Sequence, residues 1–234
     1  MVPVVTDTDA SEVIAVALAE AVIEVRLPGD ADLERLRGAF QRRLREQHPD
    51  LLVPRVVAGE PIATMPSVFS KQDRSQAVLL SVNLLGYVVQ SPGWVRFRDG
   101  FFDHWRRLME LVSIERATRV ALRYVNWFDG RLVEVIRRSG PPAFVMPLVL
   151  DPLRHEASTR YRTHRGHAAH VRVQWEAGNA SLLLDLDIAL EGLDDVGALP
   201  DALDRLHDDV EELFVAAVEP PFAAALGVRG EELA

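Results

Sequence analysis

Ala168-Ala-His-Val-Arg-Val-Gln-Trp-Glu176, followed after Gly178-Asn179 by Ser181-Leu-Leu-Leu-Asp-Leu-Asp-Ile-Ala-Leu190, is the stretch that decides the fold. Val171, Val173 and Trp175 alternate with His170, Arg172, Gln174 and Glu176; Leu182, Leu184, Leu186 and Ile188 alternate with Asp185 and Asp187. Side chains on a strand point to opposite faces in turn, so each run has one apolar and one charged face. The Gly-Asn link makes the two runs a hairpin, which is antiparallel. The pattern extends both ways. Upstream, residues 158–164 alternate Arg160, Arg162 and His164 with Thr159, Tyr161 and Thr163, and Arg165-Gly166 supplies the next turn. Downstream, Leu199, Leu203, Leu206, Val210, Phe214 and Ala217 recur at helical spacing until Pro220-Pro221 stops them.

The N-terminal half reads in the same vocabulary. Residues 21–27 put Ala21, Ile23, Val25 and Leu27 on one face and Glu24 and Arg26 on the other, and Pro28-Gly29-Asp30 ends the strand. Leu33, Leu36, Phe40 and Leu44 predict an amphipathic helix over 31–47, capped by Asp30 or Asp32 and closed before Pro49. Residues 54–67 hold three prolines and one glycine and read as a wandering connection. Residues 77–89 are a β-rich run, and Ser91-Pro92-Gly93 turns into a second helix with Phe97, Phe101, Trp105, Leu108 and Val112 on one stripe. Residues 119–128 form a strand stopped by Asp129-Gly130, and residues 144–150 form another after Pro141-Pro142. Strands joined by short turns with few helices predict an α+β fold, a predominantly antiparallel sheet with amphipathic helices on one face, in a single domain over 1–234. A strand run followed by a long helix occurs near 77–113 and again near 168–218, which suggests two pseudo-repeated halves, 1–130 and 131–234.

Composition bounds the function. The chain has 234 residues, 48% of them hydrophobic and 26% charged, without a cysteine, so disulfides, thiolate metal sites and a cysteine nucleophile are excluded. A net charge of −9 opposes generic nucleic-acid binding, which needs a positive face. No run of eighteen uncharged apolar residues is present, and residues 1–9 carry acids where a signal peptide needs bases; no membrane contact and a cytoplasmic location are expected. Lys71 is the only lysine beside 25 arginines, and arginine suits bidentate pairing across strands. From Asp185 onward fourteen acids face only Arg205 and Arg229, so an electrostatic partner of this segment should be basic.

Strand parity locates the candidate sites. Glu24, Arg26, Arg123, Arg172, Asp185 and Asp187 share the charged parity of their strands, where they predict cross-strand ion pairs or a recognition face. Tyr124, Tyr161 and Trp175 fall on the apolar parity, which removes the stacking platform that single-stranded nucleic acid requires. Asp185-Leu-Asp187 is also the strand-borne Asp-x-Asp that places two carboxylates on one side to hold Mg²⁺ or Mn²⁺, with Arg123 or Arg172 available for a phosphate. His164, His167 and His170 bracket the Arg165-Gly166 turn, and His164 and His167 are transition-metal candidates. His207 borders the last helix's apolar stripe with Asp204 at i−3 and Glu211 at i+4. A Gly-rich phosphate loop, a serine nucleophile elbow and a His-Glu-x-x-His helix are missing from the sequence.

Several segments occur together in order: Glu20-Ala-Val-Ile-Glu-Val-Arg26, the Leu80-Ser-Val-Asn83 block leading through Trp105, Arg119-Val-Ala-Leu-Arg-Tyr-Val-Asn126, Leu184-Asp-Leu-Asp187, and Leu203-Asp-Arg-Leu-His207 with Phe214. This series resembles an uncharacterised, sporadically distributed bacterial protein family of roughly this length, most specifically in its Leu-Arg-Tyr-Val-Asn strand. The proline that opens the family's first strand is missing, and Phe101 replaces the tyrosine ahead of Trp105. The resemblance implies a shared fold in which Arg123, Asn126, Asp185 and Asp187 recur together, adding Asn126 to the charged face. The expected function is a non-enzymatic binding or accessory protein that engages a protein partner or a second copy through this face, with no cofactor. The alternative is a metal-dependent enzyme acting on a nucleotide or phosphorylated substrate through Asp185 and Asp187.

Overall fold

Ala21, Ile23 and Val25 alternate with Val22, Glu24 and Arg26 along β1 (Leu18–Arg26), so one face of this strand is apolar and buried. Pro28-Gly29 terminates it, and Asp30 caps α1 (Ala31–Leu44) by accepting from the Asp32 backbone N–H at 2.8 Å. Acidic Asp32 and Glu34 in the first turn and basic Arg42 and Arg43 in the last complement the helix dipole. The helix stops at Leu44, three residues before the expected 47, and the chain leaves it through a turn in which the Gln47 and His48 N–H groups both donate to the Leu44 carbonyl, at 2.9 and 2.7 Å. The computed structural model describes residues 18–53, 65–128, 154–176 and 181–217. The strand expected at 144–150, the Gly178-Asn179 turn and the Asp129-Gly130, Pro141-Pro142 and Pro220-Pro221 stops lie outside the described residues.

Two short strands, β2 (Asp50–Leu52) and β3 (Ser67–Ser70), escape the sequence pattern because three and four residues are too few to display alternation. The run expected at 77–89 is a hairpin of β4 (Gln76–Ser81) and β5 (Leu84–Gln90), turned at Val82-Asn83 where the Ser81 hydroxyl donates to Asn83 Oδ1 at 2.9 Å. After Gly93 comes α2 (Trp94–Met109), then β6 (Ala117–Phe128), β7 (Arg154–Arg162), β8 (Ala168–Glu176) and β9 (Ser181–Leu193). A 3₁₀ turn (Val196–Ala198), capped by Asp195 through the Gly197 N–H at 2.7 Å, leads into α3 (Leu199–Ala217).

All nine strands of the described residues form one antiparallel sheet in the order β2-β3-β4-β5-β1-β6-β9-β8-β7. Register fixes which side chains share a face. One transverse row runs Phe69, Val78, Tyr87, Ile23, Leu122, Ile188, Ala169, and every member is buried. The three described helices cover this side. Phe40 of α1 meets Phe69 edge-on at 5.8 Å, Phe97 of α2 stacks on Tyr87 at 5.6 Å, and His207 of α3 meets Tyr124. Leu203, Leu206, Val210 and Phe214 of α3 are fully buried, each such side chain contributing about 1.5–3 kcal/mol of transfer free energy. The fold is therefore the expected α+β arrangement of an antiparallel sheet with helices on one face. Read outward from the centre, β1 is flanked by the β5-β4-β3 meander and β6 by the β9-β8-β7 meander, and α2 and α3 follow β5 and β9. This is a likeness of strand order only, since α1 and β2 have no counterpart among the described residues of the second stretch. No described helix is long and apolar enough to cross a membrane.

Candidate functional site

The opposite face of the sheet carries the charged residues. Its middle row runs Ser70, Ala77, Val88, Val22, Arg123, Asp187, His170, Arg160, so an aliphatic half over β3 to β1 adjoins an ionic half over β6 to β7. Glu24, Arg26, Arg123, Arg172, Asp185 and Asp187 all lie on this face, as strand parity requires.

The pairing is diagonal, in place of the direct contact that register suggests. Arg123 stands opposite Asp187, yet its guanidinium takes Asp185 in a two-bond fork, Nε at 2.7 Å and Nη2 at 2.8 Å. Asp187 is bound instead by Arg119, whose Nη2 reaches both carboxylate oxygens at 3.2 Å. Alanine pair Ala121 and Ala189 stands between them in register and leaves room for this reach. Arg119 also donates to Glu24 at 3.1 Å and approaches Glu191 at 3.5 Å, while Arg26 donates to Glu24 at 2.7 Å. Hydrogen bonding to Asp185 raises the Arg123 guanidinium above its ordinary value against the opposing effect of burial, and Glu24 does the same for Arg26. Exposed pairs of this kind contribute about 0.2–1 kcal/mol each, but Asp185 is only 6% exposed and depends on its fork. Arg119 is the residue that sequence reading left out of the site; its parity, four residues before Arg123 on the same strand, is the signal that marks it.

Asn126 is a correction to the expected face. It shares the parity of Tyr124, lies fully buried on the helix side, and donates from Nδ2 to the Leu184 carbonyl at 3.3 Å. Its Oδ1 is buried with no hydrogen-bond partner among the described residues. A bulge in β1 at Ala19 keeps Leu18 opposite it in the core, whereas Glu20 faces Val125 on the open side. Arg172 approaches Glu156 at 4.0 Å, and the neighbouring Ser158 hydroxyl and His170 Nε2 are 2.6 Å apart.

The histidines of the β7–β8 turn go to two different carboxylates of α3. Gly166 adopts φ +87°, the left-handed turn conformation, and the Thr163 and His167 backbones close the turn. His167, buried, contacts Asp209 through Nδ1 at 2.7 Å, and exposed His164 contacts Glu212 at 3.2 Å. Arg165 bridges Asp209 and Glu212. Burial alone would raise the Asp209 carboxyl, but hydrogen bonds from Thr163, Arg165 and His167 outweigh it and hold it below the ordinary range. His164, Asp209 and Glu212 bring ligand atoms within 4.8 Å of one another, so the metal-type donor set is His164 with two acids of α3, and His167 supports Asp209 from behind. The Arg165 guanidinium already supplies a cation to both acids of that set.

Two further histidine groups sit in the core. His207 is nearly buried: it stacks on Trp94 at 4.1 Å, its Nδ1 is 3.1 Å from the Tyr124 hydroxyl and its Nε2 3.1 Å from Glu211. Burial pushes the Tyr124 phenol up. Asp204, the other expected neighbour, is taken by Arg98 at 2.9 Å. Between α1 and α2, His48, which follows the end of α1, and His104 within α2 meet edge-on with ring centres 5.0 Å apart, and His104 lies against Tyr87 at 4.9 Å. Both His48 ring nitrogens and His104 Nδ1 are buried without a hydrogen-bond partner among the described residues. Burial, reinforced by Lys71 and Arg107, lowers His48 to about 4, and burial with His48 and the same two cations lowers His104 to about 3.

No family model matches the chain, and no curated protein does. Among solved structures it is similar to the duplicated taurocyamine kinase from Schistosoma mansoni with bound transition state analog components, at TM-score 0.48 and 10% identity over 89% of this chain. The chain spans 34% of that protein.

Proposed function

We propose that the chain is a cytoplasmic, non-enzymatic binding protein that engages another protein surface through the open face of its sheet. The observation that carries this reading is the division of that face. Val68, Leu79, Leu84, Val88 and Val22 are half-buried at one end, and an ordered lattice of ion pairs centred on Arg119 and Arg123 occupies the other. Apolar area beside fixed, paired charges gives a partner both a desolvation gain and a register. The carboxylates of Asp185 and Asp187 are both engaged by guanidinium groups, so a metal-dependent mechanism on Asp-x-Asp needs Mg²⁺ or Mn²⁺ to displace Arg123 and Arg119.

The test is capture from a lysate of the source cell with the wild type, Arg119→Ala, Val88→Arg and a helix-layer control, Asp201→Ala. The expected result is a protein retained by the wild type and the control but lost from both face variants. Identical capture by all four refutes the reading. A Tm raised by Mg²⁺ or Mn²⁺ in the wild type and unchanged in Asp187→Asn refutes it in favour of the metal-dependent alternative.

A further inference from the structure

We propose that the buried His48–His104 contact is an acid-released latch: in mild acid the link between α1 and β2 lets go of the core, β2 peels from the sheet, and the outer backbone edge of β3 is uncovered.

The slot accepts a neutral imidazole and has no means of accepting a charged one. His48 and His104 are 2% and 3% exposed, and both His48 nitrogens and His104 Nδ1 lack a hydrogen-bond partner among the described residues. An imidazolium carries two N–H donors and a charge, and burying these unpaired is costly. The groups around the pair make it worse. Lys71, just after β3, and Arg107 of α2 act on both rings, and His48 acts on His104, so each described charge felt by the pair is positive. Tyr87 of β5 lies against His104 as a neutral phenol. From α1, Arg43 offers its backbone carbonyl to Arg107 and its guanidinium to Glu110, and Asp103 of α2 pairs with Arg106. The link's own charged residues, Arg45, Glu46 and Asp50, are exposed.

Of the two rings, His48 is the one that can leave. His104 sits inside the sixteen-residue α2 among the buried Phe101, Trp105 and Leu108, and moving it means breaking the helix. His48 is the single buried residue between Leu44 and Leu51, so its ring is the anchor of that link. Beyond it, β2 has three residues, paired as Asp50 with Ser70, Leu51 with Phe69 and Leu52 with Val68, and it is the outermost described strand at that end of the sheet. Asp50 and Leu52 are exposed and Leu51 is half-buried, so little besides the His48 ring holds the segment down. A leucine or phenylalanine at 48 would stay seated at every pH; histidine makes the seating conditional.

The direction follows from linkage. Once the link opens, His48 titrates near its ordinary 6.5, against about 4 when seated, so the open form takes up a proton that the closed form refuses. Opening is therefore favoured as pH falls from 6.5 towards the seated value, and between pH 7 and pH 5 its equilibrium constant should rise about thirty-fold from His48 alone. His104, left facing the vacated slot, acts in the same direction.

The experiment is amide hydrogen exchange of the full chain at pH 7 and pH 5, read as protection factors, with and without sub-denaturing urea. Residues 50–52 should lose about thirty-fold or more of their protection at pH 5, by an opening that urea leaves unchanged, while residues 120–124 at the centre of the sheet stay better protected and respond to urea. His48→Phe should remove about thirty-fold of that loss, and His48→Leu tests the same point if the phenyl ring does not fit the slot. A loss below about threefold in the wild type, or an equal loss in both variants, overturns the latch. Exchange at residues 50–52 that follows residues 120–124 through urea overturns it as well, because the opening is then global unfolding and no segment is released by itself.

Discussion

Acidification from pH 7 to pH 5 should remove about 4 kcal/mol of folding stability through His48 and His104 alone. An unfolded histidine titrates near 6.5, whereas in the fold His48 is lowered to about 4 and His104 to about 3, by burial first and then by neighbouring positive charge. Below pH 6.5 the unfolded chain therefore binds two protons that the native state refuses, and stability falls as pH falls, from 6.5 down to the folded values. At pH 5 each group is about 1.5 units below its unfolded pKa and still neutral in the fold, which at 1.36 kcal/mol per unit is about 2 kcal/mol per histidine. The groups facing the pair are Tyr87 on β5, Lys71 after β3 and Arg107 on α2; Tyr87 is itself pushed up to about 12 by burial, so it stays neutral throughout the window. Asp209, held below its ordinary value, loses its contribution only at lower pH and does not blur the effect. The assay is urea unfolding at pH 7, 6 and 5 for the wild type, His104→Phe and the double variant His48→Phe/His104→Phe. The single variant should show about half the pH dependence and the double variant little. A wild-type loss below about 1 kcal/mol, or an equal loss in the double variant, would refute the reasoning.

Removing Arg123 leaves the buried Asp185 carboxylate without its fork, so Arg123→Ala should cost about 2 kcal/mol or more in urea unfolding, and Arg119→Ala, whose partners are more exposed, about 1 kcal/mol. Asp185→Asn in the Arg123→Ala background should restore part of that loss. A Cβ at Gly100 would lie 2.8 Å from the Tyr87 hydroxyl and 3.1 Å from its ring, so Gly100→Ala should destabilise by about 1–3 kcal/mol, read as a lower Tm. Asp209 ties the β7–β8 turn to α3 through His167 and Arg165; Asp209→Ala should cost about 3 kcal/mol and raise amide exchange at residues 163–167.

Alternation by itself was enough to place the long strands and their two faces, because β1, β6, β8 and β9 are each nine residues or longer and every second side chain must turn the same way. Helical periodicity placed α1, α2 and α3 on the same grounds, with their buried stripes at Phe40, Phe101 and Phe214. Those two periodicities determine an antiparallel α+β fold with one helix-covered and one charged face. They do not carry the strand order, since pairing β1 with β6 and β6 with β9 depends on which apolar rows fit beneath which helix. They also cannot show β2 and β3, whose length gives no period to read.

The site divides in the same way. Parity alone put Glu24, Arg26, Arg123, Asp185 and Asp187 together, but parity is a property of one strand and says nothing of diagonal reach between strands. Only the packed sheet decides that Arg123 serves Asp185 and that Arg119 serves Asp187, because the space over Ala121 and Ala189 exists only once β6 and β9 are in register. Asn126 stands two residues from Tyr124 and takes its face, a placement its polarity concealed and its position on β6 dictates. The buried His48–His104 contact joins the end of one helix to the middle of another, and no local pattern encodes a meeting of that kind. Chain periodicity determines which face each residue occupies; tertiary packing decides which residue it meets there.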